Sequence, residues 1–115
     1  MPMHEMSIAQ NIIDIAASEA KKAGVRNVLE LELEIGKLAG VEYESLEFAL
    51  GILAPGSVID GCNLVIHKPD GQAVCCDCGF RFFTDSHIST CPECNSYYCS
   101  VDCGKELKVK SILVD

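Results

Sequence analysis

The hydrophobic and polar positions divide this chain into a regular first half, an irregular stretch and a regular tail. Ile8, Ile12, Ile15, Ala16 and Ala20 recur at the spacing of one helical face. Ser7 is suited to cap this helix. Lys21 and Lys22 complement the negative end of its dipole, and Gly24 stops it. Leu29 to Ile35 alternates leucine or isoleucine with Glu30, Glu32 and Glu34, the period of a strand with one buried and one wet face. The glutamate row reads as a solvated face rather than a metal ladder. Glu42 to Leu53 predicts a second helix, with Leu46, Leu50 and Leu53 on one face and Phe48 and Ile52 widening it. Pro55-Gly56 breaks it. Cys62 to Lys68 predicts a short strand before the Pro69-Asp70-Gly71 turn.

Between Val74 and Gly104 the pattern gives way to cysteines, aromatics and turn residues, and no stretch there can build an ordinary core. Regularity returns at Leu107, Val109, Ser111 and Leu113, which alternate with Lys108, Lys110, Ile112 and Val114. A lone strand needs a sheet, and the expected host is the one holding Leu29–Ile35. The predicted fold is therefore α+β: two helices on a small mixed sheet, with a four-cysteine, zinc-ribbon-like module inserted before a last strand that returns to the first domain. The expected boundaries are 1–72 plus 105–115 for the α+β domain and 73–104 for the module.

Composition narrows the function. The chain has 115 residues, 49% of them hydrophobic, and a net charge of −8. It is too short for a TIM barrel or a full dinucleotide-binding enzyme. The acidity disfavours nucleic acid and anionic membranes, which need a basic footprint. No apolar run approaches the ~20 residues of a membrane span. The first residues lack the basic and apolar regions of a secretory signal, so a cytoplasmic location is expected. No His-Glu-x-x-His, Gly-x-Ser-x-Gly or glycine-rich phosphate motif marks an enzyme.

Seven of the eight cysteines lie between Cys75 and Cys103. Cys75-x-x-Cys78 and Cys91-x-x-Cys94, twelve residues apart, are two tight turns able to face each other around one tetrahedral Zn²⁺. Gly79 lets the backbone reverse, and Phe80, Phe82 and Phe83 offer flanking packing. Disulfides would need an oxidising compartment. A thioredoxin-like role would need a βαβ context, and iron–sulfur proteins usually space their ligands differently. Four protein ligands leave no open position, so such a zinc is structural. Bound by four thiolates it would bring the chain to roughly −10. Cys76, Cys99 and Cys103 read as bystanders, as do His67 and His87. A zinc-ribbon module for protein–protein or nucleic-acid interaction is the alternative. Arg81, however, is the only Lys or Arg between Cys75 and Cys103, against Asp77, Asp85, Glu93 and Asp102.

The ordered set Met3-His4-Glu5-Met6-Ser7, Ile35-Gly36-Lys37-Leu38, Val41-Glu42, Phe48-Ala49, Gly56-Ser57, Gly61-Cys62, the paired Cys-x-x-Cys motifs and Gly104-Lys105-Glu106-Leu107 resembles the HypA/HybF family of hydrogenase maturation nickel chaperones. The resemblance spans essentially the whole chain. It implies a non-enzymatic accessory protein, monomer or homodimer, that carries Ni²⁺ to the [NiFe]-hydrogenase large subunit precursor with the GTPase HypB. In some organisms the urease pathway shares the chaperone. His4 takes the position of the family's nickel histidine, Glu5 follows it, and Glu42 falls where the family often has an acidic residue near the nickel. In the family the histidine directly follows the initiator methionine, whereas here Met1-Pro2 precedes Met3. Either Met3 is the biological start, or removal of Met1 makes His4 the third residue of Pro2-Met3-His4, a four-nitrogen chelate.

Overall fold

The computed structural model describes residues 3–114. Helix α1 runs Met3–Ala23, strand β1 Val28–Ile35, helix α2 Tyr43–Leu53, and strand β2 Asn63–His67. Strands β3 Gln72–Cys75, β4 Arg81–Phe83, β5 Cys99–Cys103 and β6 Leu107–Val114 follow. They form two three-stranded sheets, of order β2-β1-β6 and β4-β3-β5. The last strand thus joins the sheet of Leu29–Ile35 as expected, and the α+β architecture is the predicted one.

The chain divides into two compact units. One comprises the described residues up to Leu33, Val41–Ile66 and the end from Val109; the other comprises Glu34–Gly40 and His67–Lys108. In the first unit α1 packs on α2. Ala9, Ile12, Ile13, Ala16 and Ala20 of α1, Leu46, Ala49 and Leu50 of α2, and Val28, Leu31 and Leu33 of β1 are all buried. The strand alternation holds from Glu30 on, with Leu31 and Leu33 fully buried and Glu30 and Glu32 half-buried on the other face, but Leu29, expected on the buried face, is half exposed and Val28 is buried instead. Glu32 there accepts a hydrogen bond from Ser111.

Three helical details differ from the sequence expectation. Ser7 is not a cap: it lies exposed inside α1, four residues past its start. The helix begins earlier because its buried stripe continues one turn below Ala9, to Glu5. Ile15 is about half exposed and Ile13 takes the core position. Phe48 and Ile52 also face outward, so α2 buries a narrower stripe than predicted. The end of α1 is as read. Gly24 has φ +72°, its N–H donates to Lys21 C=O at 3.1 Å, and Val25 N–H donates to Ala20 C=O at 3.0 Å. That pair of bonds satisfies the last carbonyls of the helix.

In the second unit β3 pairs antiparallel with β4 and with β5. Gly104 has φ +92° and its backbone lies against Gly36 and Gly71. A Cβ on Gly36 would sit 1.9 Å from Gly104 O, so this crossing accepts only glycine. Gly36 N–H donates to Glu106 C=O and Leu38 N–H to Gly104 C=O, both at 2.8 Å.

Candidate metal centres

Cys75 ends β3, and its knuckle closes through two backbone bonds. Cys75 N–H donates to Phe80 C=O at 2.9 Å, and Gly79 N–H donates back to Cys75 C=O at 2.8 Å. The second knuckle repeats the arrangement: Cys91 N–H to Ser96 C=O, and Asn95 N–H to Cys91 C=O, both 2.9 Å. The residue after each second cysteine is left-handed, with φ +80° at Gly79 and +61° at Asn95. Asn95 tolerates this conformation because its short polar side chain favours it more than other non-glycine residues do. The two knuckles are tied together by Ser96, whose hydroxyl donates to the Asp77 carboxylate. Asn95, Ser96 and Asp77 were not singled out from the sequence. The sole linear signal was Asn95, standing where the first motif has glycine.

The four sulfurs of Cys75, Cys78, Cys91 and Cys94 lie within 4.8 Å of one another. Cys75 and Cys94 are 3.6 Å apart, as are Cys78 and Cys91. A tetrahedron of sulfurs at the Zn–S length has edges of about 3.8 Å, so the set has the size of a zinc cage. Cys75 and Cys91 are buried, while Cys78 and Cys94 are open to solvent.

The electrostatics ask for a cation. Cys75 is lowered to about 6, first by the Cys78 N–H, which approaches its sulfur at 3.4 Å. The Ser96 N–H pulls Cys94 down, but its neighbour Cys75 and burial outweigh this and raise it to about 12. Cys78 is also raised on balance: the Phe80 N–H favours its thiolate, but burial and the adjoining thiols oppose it. One thiolate therefore forms easily and resists its neighbours' ionisation, a conflict that a divalent cation reverses.

At the start of α1, Glu5 is 3% exposed although it is a carboxylate. Its Oε2 accepts the Glu42 N–H at 3.2 Å and lies 3.2 Å from His4 Nδ1. The Glu42 N–H is the first cause of a lowered pKa, working against burial, with His4 adding to it. The His4 side chain is 64% exposed. The structure thus joins His4 and Glu5 through their side chains and brings in Glu42 through its backbone amide. The Glu42 carboxylate does not converge with the other two: among the described residues only the four cysteines form a group of three or more donor side chains within 4.8 Å. Pro2 and its amine lie outside the described residues.

Of the remaining candidates, His87 Nε2 is 2.7 Å from Leu38 C=O. A carbonyl only accepts, so Nε2 carries the proton and is engaged as a strut. His67 is half-buried at the end of β2. Burial raises the Cys62 thiol, which keeps it protonated.

A short α+β chain with a tetrahedral four-thiol cage and a histidine–carboxylate pair opening its first helix defines a small metal-handling protein. The chain belongs to the HypA family: residues 3–114 match the family model described as hydrogenase/urease nickel incorporation, metallochaperone. It is 42% identical over 113 residues to the hydrogenase maturation factor HypA of Chlorobium luteolum, covering 98% of this chain and 97% of that protein. It is 43% identical over 112 residues to the factor of the same name from Parabacteroides distasonis, covering 97% of each. Its fold is similar to a solution structure of HypA protein, with TM-score 0.72 and 22% identity over 98% of this chain and 97% of that one. It also resembles the solution structure of the nickel metallochaperone HypA from Helicobacter pylori, with TM-score 0.66 and 20% identity over 95% of each chain.

Proposed function

We propose that this chain captures Ni²⁺ at the start of α1 and delivers it in the cytoplasm to the [NiFe]-hydrogenase large subunit precursor, working with the GTPase HypB. The chain's family membership makes nickel incorporation the setting. The observation that carries the site is the buried Glu5 carboxylate bound to His4 and to the Glu42 amide. When Nδ1–H donates to Glu5, the Nε2 lone pair of the exposed His4 ring remains available, and imidazole nitrogen is a good nickel donor. The first amides of α1 have no intrahelical partner, so using them as further nitrogen ligands costs the helix no hydrogen bonds. Glu5 supplies negative charge beside this point, held there by the Glu42 amide. A site at an exposed helix start suits cargo, because release needs no unfolding of a core.

Cys75, Cys78, Cys91 and Cys94 hold a Zn²⁺ in this reading. Four thiolates complete its coordination and leave no position for substrate. When bound, zinc supplies cross-linking and charge compensation, and the chain supplies the two knuckles and the Asp77–Ser96 tie. Nickel titration of the wild type and His4→Ala, with zinc measured in parallel, tests both sites. The expected result is one zinc per chain in both proteins, with nickel binding lost only in the variant. Wild-type nickel affinity in His4→Ala would rule out the helix-start site.

A further inference from the structure

Three cysteines of the second unit lie outside the cage, and β-sheet geometry separates them. Cys99 is the register partner of Cys75 across the β3–β5 pair. Cys76 N–H donates to Tyr98 C=O at 2.7 Å, the bond that flanks a non-hydrogen-bonded position, while the Tyr98 N–H goes to the Ser96 hydroxyl. Cys75 and Cys99, one step along, are therefore a non-hydrogen-bonded pair. Consistently, the Cys75 N–H is spent on Phe80 C=O and the Cys99 N–H on Tyr97 C=O. Residues in such pairs have Cα atoms about 4.5 Å apart and side chains on one face. A disulfide bridges Cα separations of about 4.4–6.8 Å, so this pair is bridgeable without moving the backbone. Cys76 falls on the opposite face by strand alternation. Cys103 pairs with Gln72, beyond a register shift.

We infer that Cys99 and Cys75 form an oxidative modification site, in which a peroxide converts the pair to a cross-strand disulfide and removes one thiolate from the four-cysteine cage. This rests on the zinc reading above. Cys99 is half-buried, more open than Cys75; its thiol donates to Ser96 C=O at 3.6 Å and also interacts with the Cys75 side chain. Hydrogen peroxide oxidises one sulfur of the pair to sulfenic acid, its O–O bond breaking and one water leaving. The other sulfur of the pair, as thiolate, then attacks the sulfenic sulfur, the S–S bond forms, the S–O bond breaks, and hydroxide departs. Two electrons pass from the two sulfurs to the peroxide. The cage retains three thiolates and holds zinc less tightly. The competing oxidations, Cys75 with Cys94 or Cys78 with Cys91, each consume two zinc ligands, whereas the Cys75–Cys99 bridge consumes one.

The test uses the full chain with its zinc content measured beforehand. A chain that binds no zinc would refute the zinc reading, while disulfide mapping would still report on the pair. The zinc-loaded protein is treated with substoichiometric hydrogen peroxide, alkylated, digested without reductant and mapped by tandem mass spectrometry. Zinc release is followed with a chromogenic chelator. The first linkage is expected between Cys75 and Cys99, with loss of two hydrogens from the chain. Cys99→Ser, which leaves the cage complete and is checked for unchanged zinc content, should slow release several-fold, and Cys76→Ser should not. A first linkage within the cage, no disulfide, or equally fast release from Cys99→Ser would each overturn the proposal.

Discussion

A carboxylate on the buried side of a helix is unfavourable unless its charge is used, and Glu5 uses its charge twice, toward the Glu42 amide and toward His4. Because hydrogen bonding lowers its folded pKa, its contribution to stability is present above the ordinary carboxylate range. That contribution is lost as pH falls through the lowered folded value. Glu5→Gln keeps an acceptor for the Glu42 amide but removes the charge. Its stability should therefore depend less on pH across that acidic range, as read from urea midpoints at a series of pH values. Removing a partner that orients a metal-binding histidine typically costs 10–100-fold in affinity, so nickel binding of Glu5→Gln should weaken about tenfold by calorimetry. Zinc content should stay the same. From the sequence Glu5 is an acidic residue next to a histidine; that it is buried depends on α1 starting at Met3 and α2 bringing in Glu42.

At the scale of elements, β1 and the two knuckles carry the fold. Leu33 is fully buried in β1. Leu33→Ala should cost about 2–5 kcal/mol by leaving a cavity in the core, measured as a lowered denaturation midpoint with unchanged slope. The second knuckle depends on the left-handed turn at Asn95. Asn95→Gly should leave zinc retention against a chelator unchanged or improved. Asn95→Val, β-branched at positive φ, should destabilise the knuckle by about 1–2 kcal/mol and speed zinc loss. The helices show where periodicity fails as a guide. Ile13 and Ile15 both fit a broad apolar stripe, yet only Ile13 is in the core. Phe48 and Ile52 continue an apolar pattern that α2 does not bury. The number of helical positions covered depends on the width of the packing partner, a property absent from the helix's own sequence.

At the scale of the whole molecule, zinc substitutes for the core that residues between Val74 and Gly104 cannot build. Cys91→Ser should therefore lower zinc below one per chain and expose that segment to proteolysis. Full zinc content and unchanged protease resistance would assign the cage to other ligands. The net charge of −8 and the scarcity of basic side chains around the cage agree with a protein that handles cations. Sequence alone determined the order of elements outside the cysteine-rich stretch, the return of the last strand and the four cage cysteines as candidates. These follow from local periodicity, turn chemistry and ligand spacing, which are written along the chain. His4 entered only through the resemblance to the HypA/HybF family. The tertiary structure decided the rest: that Glu5 is buried and Glu42 meets it through an amide, that Asp77 and Ser96 tie the knuckles, and that Cys99 stands across from Cys75. Each is a contact between residues far apart in sequence or brought together by strand register. Such contacts depend on how elements pack, and no local pattern records them.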